Sequence, residues 1–388
     1  MATPFRSHAV LRAAAERLET ELAFDGDLSL LDLPRRALLV SRTEKKISPH
    51  APWLIALRHA TEQMLNAGEV LVTGTGRVPY ELPLWMSARA RASAIIVMSS
   101  PGDHLAFAPE KHLRVWPAKS AKGAAALTLR DRLIGALADR ATAIHVRAGG
   151  NMEAIAREIA ARGGEVASPA LPPTPPPTPS LKGRGKRNRS VPQQYEPIAG
   201  SHPWHYLTHF TREPDGAFPG ESREEYFSWL CRGTDAPPRD AFASLNRILG
   251  ERLIRASGRL MPAKAAMVCF TALLPQQAIE LRRWRKGLRR WSFTPYGIAI
   301  RKEALEKIGA RPVQYINKTA KTDGDSRFLQ TCGEGELDWS REQEWRVPND
   351  VKLSEFTNDD LLILTATQQE ANEVSRRFNL PASAIYIQ

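Results

Sequence analysis

Cysteine is scarce in this chain, and the cysteines that it has lie far apart. The 388 residues contain three, Cys231, Cys269 and Cys332, and none belongs to a CxxC pair. This distribution argues against a disulfide framework and against a cysteine-based zinc site. We therefore expect a protein of a reduced compartment, the cytoplasm.

Long hydrophobic runs are missing as well. No apolar stretch approaches the roughly 20 residues that a membrane-spanning helix needs, so no membrane association is expected. The N-terminal segment is rich in Arg and Ala, but it contains Glu16, Glu19 and Glu21 and lacks a continuous apolar core. This composition predicts an amphipathic helix rather than a transit peptide.

Acidic residues are outnumbered by basic ones. The chain has 54 Lys and Arg against 42 Asp and Glu, a formal net charge of +12. Much of the excess lies at residues 182–189 and 282–290. A basic surplus favours anionic partners, such as nucleotides, DNA or RNA.

A proline-rich stretch, LPPTPPPTPS, and a basic stretch, KGRGKRNR, divide the chain. The first has the composition of a semi-rigid spacer, and the second contains no apolar residue. We predict a first domain over residues 1–168, a linker over 169–200 and a second domain over 201–388. The basic stretch is interpreted as a disordered linker, and the alternative is an arm that contacts nucleic acid through Lys186 and Arg187.

The first domain alternates short apolar runs with helical patterns. Runs beginning near residues 35, 69 and 94 predict buried strands, and Pro52 opens a helix that ends at Gly68. Strands that alternate with helices predict an α/β domain with a parallel, doubly wound sheet.

Two loops that follow predicted strands of this domain are candidates for binding a phosphate. Ligands of such sheets bind at the carboxyl ends of the strands, where glycine lets backbone amides approach a phosphate and arginine supplies charge. The candidate residues are Ser41, Arg42, Thr73, Gly74, Thr75, Gly76 and Arg77. The expected ligand is a nucleotide or another phosphorylated molecule. The GxGxxG fingerprint is incomplete and no P-loop lysine follows, so the alternative is a tight turn that needs glycine for its geometry.

The segment LLVSRTEKK and the later VLVTGTGRVPYELPLWMSARARASAIIVM resemble the Rossmann-like superfamily that contains the DNA-processing protein DprA and the LOG nucleotide hydrolases. The resemblance covers about residues 35–100 and implies a Rossmann-like fold that binds nucleotides or nucleic acid. The LOG turn PGGxGTxxE is matched only by Gly74, Thr75, Gly76 and Glu81. Because the Pro-Gly-Gly is missing, hydrolase activity is not implied.

Strands and helices of the second domain are separated by uneven insertions, which predicts an α+β domain with a mixed or antiparallel sheet. Three histidines, His202, His205 and His209, lie close together in sequence. The pattern at 206–211 predicts a strand, on which His205 and His209 would be about 13 Å apart. We therefore expect no metal site.

The order of motifs in the second domain resembles that of a bacterial group that includes AbiGi-type abortive-infection proteins and, more distantly, DarT-type ADP-ribosyltransferases. The motifs are LTHFTR, LNRIL, LIRAS, VCFT, PYGIA, ARPV and EQEWRV, over roughly residues 205–350. The resemblance implies a toxin-like or antiviral-defence effector that uses NAD.

The same resemblance implies an NAD site. His209 matches a ribose-binding position, and Glu344 or Glu342 matches the late catalytic glutamate, which would stabilise an oxocarbenium-like transition state. The further residues implied for the cofactor are Arg212, Arg255, Phe270, Thr271 and Tyr296. The alternatives are a buried core histidine at 209 and a structural ion pair between Glu344 and Arg346.

The basic segment RRWRKGLRRW predicts a helix. Trp284, Leu288 and Trp291 would pack on the sheet at i, i+4 and i+7, with the arginines in solvent. The rival interpretation is a nucleic-acid contact, in which the tryptophans stack on bases and Arg283 and Arg290 meet phosphates. The matching hypothesis for the whole chain is a non-catalytic, DprA-like protein that binds or senses nucleic acid.

Overall fold

A computed structural model describes most of the chain. The described residues are 8–41, 43, 46–119, 123–169, 204–259, 261, 264–285, 290–316, 324–332 and 338–385. They group into two compact units, Met1–Ser180 with Glu221–Pro237, and Leu181–Gly220 with Pro238–Gln388. In the part of the chain that the structure describes, no helix has both the length and the apolarity to cross a bilayer.

The first unit is built on a seven-stranded sheet. Its strands are β1 (Leu22–Gly26), β2 (Arg35–Val40), β3 (Val70–Thr73), β4 (Ala94–Val97), β5 (His112–Pro117), β6 (Arg140–His145) and β7 (Glu165–Ala167). Its described helices are α1 (Ala9–Arg17), α2 (Pro52–Asn66), α3 (Val78–Arg89), α4 (Gly123–Leu137), α5 (Asn151–Ala161) and α6 (Arg223–Cys231).

The strand order of this sheet is β1-β5-β4-β3-β2-β6-β7. The strands from β5 to β7 are parallel, and β1 pairs antiparallel with β5 at one edge. The predicted parallel sheet is therefore present. The chain runs outward from β2 through β3, β4 and β5, and then returns to place β6 on the other side of β2. This reversal of strand order is where doubly wound sheets open a crevice at their carboxyl edge.

The sheet core consists of apolar runs, as the parallel arrangement requires. All four residues of β4 are buried. Leu133 of α4 and Ile155 of α5 pack on one sheet face, in a cluster with Val72 and Ile95. The edge strands β1 and β7 were not predicted, because they are short and largely lack a buried apolar run.

Helix α6 belongs to the first unit, although the predicted boundary placed it in the second domain. Phe227 is fully buried, with its ring centroid 6.1 Å from that of Trp85 and 5.5 Å from that of Phe107. Aromatic contacts of this kind stabilise packing beyond the area that they bury. Trp85 and Phe107 are far from Phe227 in sequence. Position in the sequence alone therefore assigned α6 to the second domain.

The second unit is built on another seven-stranded sheet and three two-stranded ones. Its described strands are β8 (Tyr206–Phe210), β9 (Leu253–Ile254), β10 (Met267–Thr271), β11 (Trp284–Arg285), β12 (Arg290–Trp291), β13 (Gly297–Arg301), β14 (Arg311–Pro312), β15 (Gln314–Ile316), β16 (Leu329–Thr331), β17 (Glu344–Pro348), β18 (Val351–Lys352), β19 (Leu361–Thr365) and β20 (Ala382–Ala384). Its described helices are α7 (Ala241–Glu251), α8 (Pro275–Glu280), α9 (Lys302–Lys307) and α10 (Gln368–Phe378).

The larger sheet has the order β14-β17-β10-β8-β13-β19-β20. Its pairs are antiparallel except for β19 and β20, which are parallel. This agrees with the predicted mixed or antiparallel sheet. Leu207, Phe270 and Ile298 form part of one buried cluster with Leu245 of α7.

The basic segment RRWRKGLRRW does not form the predicted helix. Its ends are the two strands β11 and β12, which pair antiparallel with Trp284 opposite Trp291 and Arg285 opposite Arg290. The two indole centroids are 5.5 Å apart with an interplanar angle of 73°. A cross-strand aromatic pair stabilises a two-stranded ribbon. The spacing of seven residues fits both structures, so periodicity could not distinguish them.

Candidate functional site

A cavity of about 550 Å³ lies at the carboxyl edge of the first-unit sheet. Three strand-to-helix connections line it: Ser41 and Thr43 after β2, Gly76–Tyr80 after β3, and Arg147 with Gly150–Met152 after β6. Because β2 lies between β3 and β6, the cavity is at the point where the strand order reverses. Crevices at this position are the usual ligand sites of doubly wound sheets.

Two helix N-termini border the cavity. Helix α3 has Arg77 as its N-cap and α5 has Gly150, and neither N-cap side chain accepts a hydrogen bond from its helix. Gly76 has a φ of 84°, a left-handed conformation that favours glycine, and it leads the chain into α3. Backbone amides and the helix dipole at such ends favour an anion.

Three arginines line the cavity, and two of them are exposed and unpaired. Arg77 and Arg147 make no ion pair with any residue that the structure describes. Arg223, from α6, pairs with Glu81, and burial lowers the pKa of its guanidinium. The cavity also has one acidic lining residue, Asp131, so its lining carries a cationic surplus.

Asp131 is the centre of a hydrogen-bond network in the cavity wall. Its Oδ1 accepts from the Tyr80 hydroxyl at 2.9 Å and from Arg130 Nη2 at 2.8 Å. Its Oδ2 accepts only a long 3.4 Å hydrogen bond from Asn151 Nδ2 among the described residues. Burial, followed by the charge of Asp131, raises the pKa of Tyr80 and keeps the phenol protonated. Asp131 Oδ2 therefore has acceptor capacity for a ligand.

The predicted phosphate-binding residues divide into two groups. Those that line the cavity are Ser41, Gly76 and Arg77. Thr73 donates to a backbone carbonyl of α3 at 3.0 Å, and the carbonyl of Thr75 accepts from Arg130 at 2.8 Å. A Cβ at Gly74 would lie 3.2 Å from the Arg130 side chain, so glycine provides room for it. These residues support the turn and are not part of the lining, and Arg42 lies outside the described residues.

The lining residues that come from other segments were not predicted from the sequence. The connection after β6, which contains Arg147, Gly149, Gly150 and Asn151, is a second glycine-containing turn between a strand and a helix. That signal could have been found, because it repeats the pattern after β3. Arg223 had no such signal, since its helix was assigned to the other domain.

In the second unit, Glu344 is held by a buried arginine. Its Oε1 accepts from Arg346 Nε at 3.0 Å, and its Oε2 accepts from Nη2 at 3.3 Å. Arg346 is fully buried and also donates to the Arg327 carbonyl at 2.8 Å and to Gln330 Oε1 at 2.7 Å. The pair has the geometry of the structural alternative, in which the carboxylate neutralises a buried cation.

Glu342 is engaged by arginines as well. Arg285 forms an ion pair with its Oε1, and Arg283 Nη2 lies 3.8 Å from the same oxygen. Burial raises the pKa of Glu342, and the charges of the two arginines oppose this rise. Both predicted catalytic carboxylates therefore have basic partners within the second unit.

His209 is partly buried against β10. Its Nδ1 lies 2.9 Å from a backbone carbonyl of β10, and its ring centroid is 5.8 Å from that of Phe270. Burial lowers the pKa of His209 to about 4. Glu344 pairs with Thr271, which pairs with Thr208, so these three share one sheet face. The next residue of the strand, His209, belongs to the opposite face. The structure thus does not bring His209 and Glu344 together.

Four of the remaining residues predicted for the cofactor have partners or core positions within the second unit. The Tyr296 hydroxyl donates to a carboxylate of α10 at 2.9 Å, and the Thr271 hydroxyl donates to a backbone carbonyl at 2.6 Å. Arg255 pairs with a glutamate of α7 at 3.2 Å, and Phe270 is in the core. Arg212 follows β8 with an exposed side chain and forms no ion pair among the described residues.

The structure describes only some of the residues that were predicted to contact nucleic acid. Arg283 lies beside the ribbon of β11 and β12, with its guanidinium 5.1 Å from the ring centroid of Trp339. Arg290 is the first residue of β12. Lys186 and Arg187 lie outside the described residues.

The first unit is thus a doubly wound α/β unit with a cationic cavity at the point where its strand order reverses. No protein-family model matches the sequence, and no curated protein does. Among solved structures the chain is similar to DNA processing protein A (DprA) from Streptococcus pneumoniae, with 16% identity and a TM-score of 0.28 over 38% of this chain and 54% of that one. It therefore spans about half the length of that protein.

A second similar structure is that of DNA processing protein A from Helicobacter pylori, which was described for its single-stranded DNA binding mode. The identity is 15% and the TM-score 0.34, over 43% of this chain and 79% of that one. Similarity at this level leaves the function to be derived from the site. The resemblance of the second unit to AbiGi-type and DarT-type proteins stays a prediction.

Proposed function

We propose that the chain is a non-catalytic nucleic-acid-binding protein, and that the first-unit cavity holds backbone phosphates of a single strand. The observation that supports this most is the pair Arg77 and Arg147. Both side chains line the cavity without an ionic partner among the described residues, beside two helix N-termini. Guanidinium groups without an ionic partner, placed beside helix N-termini, form a site for phosphate.

The exposure of these arginines favours a polymer over a small ligand. Arg77 and Arg147 are exposed at the rim, where successive phosphates of a strand can reach them. The formal net charge of +12 favours a polyanion for the same reason. A deeply enclosed nucleotide would instead need its phosphate contacts inside the cavity.

A free nucleotide is the second candidate, and Asp131 is the observation that favours it. Its Oδ2 lines the cavity with one long hydrogen bond among the described residues, and could accept from a sugar hydroxyl or a base amino group. A cavity of about 550 Å³ also falls in the size range of small-molecule sites. A competition experiment separates the two candidates. A mononucleotide at millimolar concentration should displace the strand only if the nucleotide binds in the same cavity.

The test of the proposal is strand binding by the double variant R77A R147A. We expect each removed arginine to weaken the binding of labelled oligo(dT), measured by fluorescence anisotropy, by about 10-fold, because each loses a charge-assisted contact. The matched control is R157A, since Arg157 is an exposed arginine of α5 that does not line the cavity. Equal affinity of the double variant and the control would contradict the proposal.

NAD-dependent ADP-ribosyl transfer by the second unit stays a proposal with less support. Glu342 and Glu344 are both engaged by arginines, and His209 lies on the opposite sheet face from Glu344. These contacts favour structural roles for the three residues.

A further inference from the structure

The ribbon of β11 and β12 presents an aromatic side chain to solvent. Trp284 is 42% exposed, which is a large fraction for a tryptophan. Its ring is held by a contact with Trp291, at a centroid distance of 5.5 Å. A ring that is fixed by its neighbour and exposed to solvent is a platform on which another flat group can stack.

Arginines alternate with the aromatic rings on this ribbon. The Arg282 guanidinium carbon lies 4.3 Å from the ring centroid of Trp291. Those of Arg285 and Arg283 lie 3.9 Å and 5.1 Å from the ring centroid of Trp339. Stacked guanidinium groups are positioned in advance, so they lose little freedom when they meet a phosphate.

The arginines of the ribbon exceed the acidic groups that they contact. Glu342 pairs with Arg285 and lies 3.8 Å from Arg283. Arg282 forms no ion pair in the described part of the chain. One carboxylate thus contacts two of the three guanidinium groups, and the third, Arg282, adds positive charge next to the exposed indole.

We propose that the ribbon surface, made of Arg282, Arg283, Trp284, Arg285 and Trp291, binds single-stranded nucleic acid through its own contacts. A base stacks on Trp284, and the flanking phosphates meet Arg282 and Arg283, while Arg285 keeps its ion pair with Glu342. This inference shares the ligand class of the proposed function, on which it rests, but it uses residues of the second unit alone.

The chemistry of the surface selects a single strand over other polyanions. A base can stack on an exposed indole only if one face of the base is free. In a duplex the faces of the bases are covered by their neighbours in the stack. An acidic peptide would satisfy the arginines but would provide no flat ring for Trp284. Duplex DNA and polyglutamate are therefore the competitors that test the assignment.

The experiment is photo-crosslinking of the full chain to an oligo(dT) that contains 5-iodouracil, followed by mass-spectrometric mapping. An oligomer of about 20 nucleotides exceeds the roughly 4–16 nucleotides that a single binding fold covers. We expect a crosslink at Trp284, and a yield in that peptide that is about 10-fold lower when the stacking partner is removed in W284A. W284F keeps an aromatic ring and should retain binding, which separates lost stacking from a disturbed ribbon. L274A, which removes another exposed apolar side chain of the second unit, is the matched control.

The cavity variant R77A R147A distinguishes failure of this inference from failure of the proposed function. It should keep the Trp284 crosslink, because the ribbon surface binds by itself. Crosslinks confined to other peptides, or equal competition by duplex DNA or polyglutamate, would overturn the ribbon surface and leave the cavity proposal standing. A Trp284 crosslink, together with a strand affinity that R77A R147A leaves unchanged, would overturn the cavity proposal and leave the ribbon surface standing.

Discussion

The first-unit cavity and the β17 region of the second unit use charged residues in opposite ways. At the first-unit cavity, Arg77 and Arg147 are exposed and lack ionic partners among the described residues. On β17 and the turn before it, Glu344 and Glu342 are tied to Arg346 and Arg285. A charge that the fold has already paired contributes to architecture, whereas a charge left open can still bind a ligand. The comparison shifts the functional expectation from the second unit to the first.

The largest expected effect is the loss of stability in R346A. Removing the fully buried Arg346 leaves Glu344 and several carbonyls without their donor, which should cost about 3–5 kcal/mol of unfolding free energy. Urea unfolding of the full chain measures this, and R341A, at an exposed neighbouring arginine, is the control. A cost no greater than that of the control would mean that the ion pair is not structural.

The next effect concerns the pH dependence of stability at His209. Burial lowers its folded pKa from 6.5 to about 4, so the unfolded chain binds the proton more readily. Stability from the neutral ring should therefore be present above pH 6.5 and be lost as pH falls towards 4, by on the order of 3 kcal/mol. Unfolding midpoints across this range should show a weaker dependence in H209Q and an unchanged one in H205Q, at an exposed histidine. Identical pH profiles for H209Q and wild type would contradict a partly buried, neutral His209.

A smaller effect separates the two ligands considered for the cavity. D131N removes a negative charge but keeps an oxygen that can accept from Tyr80 and Arg130. If the cavity holds strand phosphates, oligo(dT) affinity should rise by about 3-fold, because repulsion is relieved. If it holds a nucleotide whose hydroxyl donates to Asp131, nucleotide affinity should fall instead. Anisotropy with oligo(dT) and calorimetry with a mononucleotide report the two signs.

The smallest expected effect is that of E344Q on NAD. Because Glu344 is engaged by Arg346, we expect wild type and E344Q alike to leave NAD unconsumed above background. A chromatographic assay of NAD and nicotinamide measures this, and circular dichroism checks the fold. Turnover by wild type that disappears in a folded E344Q would restore the catalytic interpretation of the second unit.

The parallel sheet was predictable because its evidence is local. The apolar runs of β3 and β4, and the start of a helix at Pro52, can each be recognised from a few consecutive residues. The cavity was half predictable for the same reason. Ser41, Gly76 and Arg77 follow predicted strands, whereas Arg223 and Asp131 reach the site from helices whose placement depends on tertiary packing.

The ribbon shows why local pattern fails elsewhere. Trp284 and Trp291 are seven residues apart, a spacing that fits two turns of a helix and also two opposite positions on a hairpin. The pairing of Glu344 with Arg346 was visible as an alternative, since residues two apart share a face of a strand. The sequence did not show that Arg346 is buried and also donates to further carbonyl oxygens, because those oxygens belong to residues 327–330.

The most direct test of a phosphate-binding role for Arg77 and Arg147 is the salt dependence of strand binding. Oligo(dT) affinity should be measured over a salt series for wild type, R157A and R77A R147A. Each phosphate contact contributes about 0.7 to the log–log slope for a single strand, so the double variant should lose about 1.4 from its steepness while R157A keeps it. An unchanged slope and affinity in R77A R147A would contradict the account.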